Sequence, residues 1–458
     1  MKTSLIQLAS WLSKASITGN AEIDDVTTDS RNVVVGNLFV ALRGERFDAH
    51  DFLLDVIAKG AAAVLAERLP AGLSTPALVV PDTRFALGEI ASNWRKQFDL
   101  PLIGVTGSNG KTTVKEMIAS ILREAFGENH MLATRGNFNN DIGVPLTLLR
   151  LTAEHRAAVI ELGMNHVGEI ALLASIAQPT VGLVNNAQRE HQEFMQSVEA
   201  VARENGAVIE ALPDAGIAVF PSDDTFTPLW RELALGRGPR KILTFGFSGD
   251  ADVSCSYQPG SFGSEMSLRI KSQTFLVTLS AAGLHNVRNA MAAAACCHAI
   301  GIEGEVIARG LTAFAPVSGR MQRKTAINGA AVIDDTYNAN PDSVLAAIDV
   351  LAQAAAPRIL VLGDMGEVGQ EGQRFHEEVG THARERGIEH ILTLGELARH
   401  ASAAFGAEAR HFEKIETLVL SLNAILVPAA TVLVKGSRFM QMERVINQLV
   451  NEQTGETH

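Results

Sequence analysis

LIGVTGSNGKTTVKEMIASILREAF (residues 102–126) decides the fold. Four small or apolar residues lead into Thr106-Gly107-Ser108-Asn109-Gly110-Lys111-Thr112-Thr113, and from Lys111 onward the apolar positions recur at helical spacing. A buried strand, a glycine-rich loop and a helix in that order form a cradle for phosphate. Gly107 and Gly110 let the backbone wrap closely, the first helical N–H groups and the helix dipole favour an anion, Lys111 supplies a point charge and Thr112 a hydroxyl for Mg²⁺. The generic loop carries a glycine at position 105, where this chain has Val105, so the match is to a variant. An ATP or GTP site is expected at Gly107, Ser108, Asn109, Gly110, Lys111, Thr112 and Thr113.

On either side the pattern repeats. AAVIELG (157–163), TVGLVNN (180–186) and GIAVF (216–220) read as further buried strands, the signature of a parallel α/β sheet with ligands at the strand carboxyl ends. A second series follows: AAVIDD (330–335), RILVLGD (358–364), HILTLG (390–395) and TVLVKG (431–436). Between the two series, residues 251–280 are rich in Ser and Gly and β-prone, and read as antiparallel strands at the edge of the first sheet. Ahead of them lies a smaller α/β segment, in which DFLLDVIAKGAAAVLAE (51–67) reads as helical and ALVVPD (77–82) as a strand. The expected architecture is α/β with three domains, 1–84, 85–316 and 317–458.

The 458 residues carry 39 Lys+Arg against 51 Asp+Glu, a net charge of −12. A field of that sign argues against a nucleic-acid or anionic-membrane binder, so anionic ligands must be held by local cradles. Cys255, Cys296 and Cys297 are odd in number and lack metal-ligand spacing, which fits a reducing, cytoplasmic compartment. Neither a signal-peptide core nor an apolar run of about 18 residues occurs.

A metal–phosphate site needs a carboxylate at the end of a neighbouring strand. Glu161 ends AAVIELG, and His191 follows the next strand; delivered to the loop edge where phosphate should lie, both are candidate Mg²⁺ ligands with Thr112.

These residues and six further blocks resemble the Mur ligase family along nearly the whole chain: GNFNNDIGVPLTLL (136–149), ELGMNHVGEI (161–170), GLHNVRNAMAA (283–293), DDTYNANPDS (334–343), LGDMGEVG (362–369) and KGSR (435–438). GNFNND, YNANP and LGDMGE are most similar to members that join D-Ala-D-Ala to UDP-N-acetylmuramoyl-tripeptide. The resemblance implies a first domain for the UDP-sugar nucleotide, a central ATP domain and a C-terminal Rossmann-like domain that closes over both and brings the amine. It implies ATP and Mg²⁺, an acyl-phosphate intermediate, a monomer and domain closure. By the same resemblance Ser30, Arg31 and Gly44 would hold the UDP-muramoyl moiety, although an arginine such as Arg31, taken alone, is more often a solvated surface charge. The asparagine-rich loop contributes Asn137, Asn139 and Asn140 to the substrate side. Asn289 would read adenine, or cap a helix start. Arg320 would face ATP, Asp335 the nucleotide, and Tyr337, Asn338 and Asn340 nucleotide or dipeptide; Lys435, Ser437 and Arg438 would receive the dipeptide carboxylate. Lys111, Glu161 and His191 form the catalytic set.

One position departs from the family. Where many members carry a carbamylated lysine that reaches a second metal, this chain has Asn205, which cannot be carbamylated. Either His191, phosphate and water hold that metal with a neutral amide in support, or Glu204 substitutes; the first is favoured because Glu204 points about 100° away around a helix. Other ligases of the same superfamily, such as folylpolyglutamate synthase, would lack YNANP with LGDMGE. A nucleotide-switch ATPase would release phosphate without amide synthesis.

Overall fold

The structure, a computed structural model, describes residues 1–450 except positions 46, 191, 196, 237 and 261. Its framework is three sheets. The first has five strands, parallel except for Ser16–Ile17 at one edge, with Asn37–Val40, Ala63–Ala66 and Ala77–Val79 in its interior. The helical reading of 51–67 is half right. Helix Leu53–Ala58 stops at Gly60, whose φ of +100° suits a residue without a Cβ. The alanine-rich Ala63–Ala66 then runs as a strand with all four residues buried. Burial between two parallel neighbours overrides alanine's helical propensity there.

Helix Thr83–Arg95 begins where Asp82 accepts the Phe85 N–H. Its apolar face (Leu87, Ile90, Ala91, Trp94) joins one continuous core with Leu38 and Leu65 of the first sheet, Ile160 of the second and Leu148 of helix Gly143–Leu148. Burial thus runs without a break across the boundary expected at residue 84.

The second sheet has nine strands. Leu102–Thr106 is third from one edge, paired in parallel with Ala157–Glu161 on one side and Val181–Val184 on the other. From Leu102–Thr106 the chain first builds one flank, Met131–Ala133 and Ala157–Glu161, and then crosses to build the other. This reversal opens a crevice at the carboxyl ends, where α/β sheets hold ligands. The antiparallel edge expected over 251–280 is present as Val253–Gly260, Gly263–Ile270 and Gln273–Leu279. Helix Leu284–Ala299 packs its alanines and both Cys296 and Cys297 against helix Lys111–Phe126 and the sheet. All three cysteines are free thiols.

The third sheet has six strands, with Ala331–Asp335 and Arg358–Gly363 on either side of the last strand, Thr431–Lys435. Only Gln322–Thr325 runs antiparallel. Among the described residues no helix is long and apolar enough to cross a membrane.

Candidate active site

The carboxyl ends of the second and third sheets face each other across a cleft of about 1080 Å³. Phosphate-loop residues 108–113 form its floor. Gly107 and Gly110 have φ of +140° and +81°, and a Cβ on Gly110 would lie 2.5 Å from Asn289 Oδ1. Both glycines are therefore required by conformation and by space. Lys111 folds back over the loop, donating to the carbonyls of Gly107 (2.6 Å) and Ser108 (3.2 Å) and pairing with Glu190 (2.9 Å).

Register explains the acidic wall. Glu161 lies opposite Val105, one residue short of the phosphate loop. Its Oε1 accepts from the Thr112 hydroxyl (3.1 Å) and from Asn139 Nδ2 (2.9 Å), while its buried Oε2 has no hydrogen-bond partner among the described residues. A buried carboxylate oxygen without a donor is costly, and a divalent cation beside Thr112 would satisfy it. Among the described residues no three His, Cys, Asp or Glu side chains gather into a ready cage. Mg²⁺ suits such a sparse set, because it commonly takes one or two carboxylates and completes its shell with phosphate oxygens and water. His191 lies outside the described residues.

Asn205 is fully buried, and its Oδ1 accepts the Thr106 hydroxyl at 2.5 Å. The neighbouring Glu204 is spent elsewhere: its carboxylate accepts the Gly168 (2.9 Å) and Ile170 (2.8 Å) N–H groups at the start of helix Glu169–Ala177. The reading in which Glu204 replaces the missing lysine loses its ligand.

A chain of amides closes the rear of the loop. Asn289 sits inside helix Leu284–Ala299, where its Oδ1 accepts from Asn185 (2.9 Å) and its Nδ2 donates to Asn286 (3.2 Å). Helix-start capping is therefore not its role. Asn185, Asn186 and Gln188, which follow strand Val181–Val184, bond to Asn109 and Ser108. Sequence reasoning used this strand but passed over its asparagines, because neutral amides carry no chemistry-bearing signal. Asp223 and Asp224, after Ile217–Pro221, were also missed. Burial opposes ionisation of Asp223, yet the two-pronged Arg288 contact holds it below the usual carboxylate range; burial pushes Asp224 up.

From the third sheet, Arg320, Asp335, Tyr337, Asn338, Asn340 and Lys435 line the same cleft. Strand pairing sets Asp335 against Lys435, and Lys435 Nζ reaches Asp335 Oδ2 at 2.5 Å and the Asn338 carbonyl at 2.9 Å. Ser437 accepts the Gly366 N–H and donates to the Ala339 carbonyl. Lys435 and Ser437 thus hold loops together, leaving Arg438 the outward-facing cation of KGSR. The Arg320 and Arg438 guanidinium carbons stand 3.9 and 5.9 Å from the Tyr337 ring centroid. Asn340 caps helix Pro341–Leu351 and pairs with phosphate-loop Asn109 (2.9 Å).

The first-sheet candidates stand apart from this cleft. Arg31 is 85% exposed and paired with Asp29, whose carboxyl is lowered to about 2 by that contact. The Ser30 carbonyl accepts from Lys59, and Gly44 bonds to Phe47. Contact with the cleft from this side comes instead through Arg84, which pairs with Asp141 of the asparagine-rich loop at 2.8 Å. Within that loop Asn139 and Asn140 reach the cleft, and Asn137 does not.

Three family models match successive segments: the Mur ligase family catalytic domain over residues 22–95, the Mur ligase middle domain over 105–297, and the Mur ligase glutamate ligase domain over 319–438. The chain is 40% identical to the UDP-N-acetylmuramoyl-tripeptide–D-alanyl-D-alanine ligase of Escherichia coli across 98% of both proteins. It belongs to the Mur ligase family. Among solved structures of Mur ligases, MurF from Acinetobacter baumannii superposes with a TM-score of 0.91 at 34% identity over 99% of each chain. MurF from Thermotoga maritima in complex with ADP gives 0.82 at 26% identity, covering 93% of this chain and 96% of that one.

Proposed function

We propose that the protein is an ATP-dependent amide ligase that joins D-Ala-D-Ala to UDP-N-acetylmuramoyl-tripeptide in peptidoglycan precursor synthesis, as a cytoplasmic monomer. The observation that carries this reading is the single cleft shared by the phosphate loop, Glu161 and the 335–340 loop, in a chain whose full-length relative bears that ligase name.

A free carboxylate is a poor acyl donor, so it must first be activated. The terminal carboxylate of the tripeptide attacks the γ-phosphorus of ATP, the β–γ bridge breaks, and acyl phosphate and ADP result. The amine of D-Ala-D-Ala then adds to the acyl carbon, phosphate departs, and the amine proton is lost as the amide forms. Catalysis in the first step is mainly positioning and charge stabilisation. Loop N–H groups and Lys111 hold the phosphates, and Lys111 must exchange its loop carbonyls for phosphate oxygens. Thr112 and Glu161, with His191 by family resemblance, would hold Mg²⁺, which supplies counter-charge to the transferring phosphoryl group. Asn289 with Asn185 supports the base end of the nucleotide, and Asp335 its sugar side. Arg320 on Tyr337 faces ATP, Arg438 on the same ring is the cation best exposed to a dipeptide carboxylate, and Asn338 and Asn340 flank that approach. Asn139 and Asn140 border the peptide, with Asn137 outside the cleft on the same loop, while Ser30, Arg31 and Gly44 belong to the sugar-nucleotide end. The working units of this proposal are 1–84, 85–316 and 317–458.

Phosphate release tests it. The ligase requires release that depends jointly on the UDP-linked tripeptide and D-Ala-D-Ala; equal release without either would identify a switch ATPase instead.

A further inference from the structure

Residues 185–190 bond in two directions. Toward the second sheet they hold the phosphate loop, through Asn185 and Asn186 to Asn109 and through Gln188 to Ser108. Toward the third sheet they send Arg189. Its backbone N–H donates to Asp342 Oδ2 (2.8 Å), its Nε and Nη2 to Asp342 Oδ1 (3.1 and 2.7 Å), and its Nη1 and Nη2 to the two oxygens of Glu378 (2.8 and 3.1 Å). The guanidinium carbon stands 5.2 Å from the Phe375 ring centroid, and the side chain is 23% exposed.

We propose that Arg189 is a positioning residue, a clamp that holds the first turn of helix Pro341–Leu351 and helix Gly372–Glu385 against the phosphate-loop side of the cleft. Gln188 and Glu190 line the cleft and Arg189 does not, so its charge is turned to protein carboxylates and away from substrate. A planar fork meeting two carboxylates fixes direction as well as distance. Asp342 lies two residues beyond Asn340, which itself bonds to Asn109. One helical turn is thereby tied both to the phosphate loop and to the segment supporting it. Without Arg189 both third-sheet helices lose their ion pairs to the phosphate-loop side, and Asp342 and Glu378 are left half-buried without a counter-charge unless the cleft opens to water, favouring separation of the third sheet from the second. Substrates held between the sheets would then meet fewer assembled molecules, and apparent affinity falls with the assembled fraction. The kinetic consequence rests on the proposed ligase reaction; the effect on compactness does not.

The test compares the full-length protein with Arg189→Met, Asp342→Asn, the double variant and Glu378→Gln. Steady-state kinetics, binding of a non-hydrolysable ATP analogue and small-angle scattering with that analogue are measured together. Arg189→Met is expected to raise the dipeptide KM about tenfold through a smaller assembled fraction. Its affinity for the ATP analogue should stay within about threefold of wild type, well under one tenfold step in binding, while the scattering radius grows. The double variant should be no worse than the worse single one, because both remove the same contact. Arg189→Lys, which keeps charge without the fork, should recover part of the loss. Wild-type KM and compactness in Arg189→Met would overturn the proposal. So would a loss of analogue affinity matching the loss of turnover at unchanged compactness, since Arg189 would then be a nucleotide ligand. If Arg189→Met fails to fold, Glu378→Gln decides: a raised KM supports the clamp and an unchanged one rejects it. Should the dipeptide not be a substrate of any variant, the ligase reading fails while scattering still tests the clamp.

Discussion

Lys111 makes two contacts inside its own loop and a third to Glu190, and the loop carbonyls are to be exchanged for phosphate oxygens in the proposed reaction. The loop is thus pre-shaped by the cation that later serves the ligand. Lys111→Ala removes a charge aimed at the transferring phosphoryl group and is expected to slow turnover on the order of 10²–10⁴-fold; near-normal turnover in a steady-state assay would remove it from the mechanism. Asn205 makes a different point. Its amide is buried against Thr106, at the position where the family resemblance leads one to expect a carbamylated lysine. Activity in carbon dioxide-depleted buffer is therefore expected to be unchanged by added bicarbonate, and stimulation would contradict the assignment. At this scale the phosphate loop and Glu161 were legible because charged residues at strand ends carry chemistry by type. Asn185, Asn186 and Asn289 were harder, since a neutral amide reads the same in a cap, a core or a site until its partners are known. Lys435 was legible as a cation but not as half of an internal pair, because its Asp335 partner lies 100 residues away in sequence and is set by strand order alone.

Among the elements, the parallel strands were the most readable, since burial on both faces writes a continuous apolar run such as Leu102–Thr106. Short edge strands were not: Met131–Ala133 and Ala409–Phe412 have too few residues to set a period. Ala63–Ala66 failed for the opposite reason, a strong local propensity overruled by its neighbours. Helix Glu169–Ala177 shows how elements are joined: Gly168 supplies no side-chain cap, and Glu204 from another helix takes its N–H groups. Glu204→Ala leaves the buried Ile170 N–H without its acceptor and the exposed Gly168 N–H to water, and is expected to destabilise by about 1–2 kcal/mol. Urea unfolding measures the loss, and catalysis by the folded fraction should survive. An unchanged midpoint would mean that water replaces the cap.

Across the whole molecule, a net charge of −12 must coexist with substrates that are anionic or zwitterionic. Attraction is therefore local: loop amides, Lys111, and the arginines around Tyr337. The second and third sheets were legible as two series of strands and the first only as a smaller α/β segment, and the junctions between them were not legible. The shared core under helix Thr83–Arg95 and the contacts of Arg189 and Asn340 across the cleft depend on how finished units meet. Their convergence is what an acyl phosphate requires, since water must be kept from it until the amine arrives. Labelling the tripeptide's terminal carboxylate with oxygen-18 tests this most directly. An acyl-phosphate route transfers one labelled oxygen to the released inorganic phosphate and keeps the other in the new amide. Phosphate free of label would contradict carboxylate activation by ATP in this cleft.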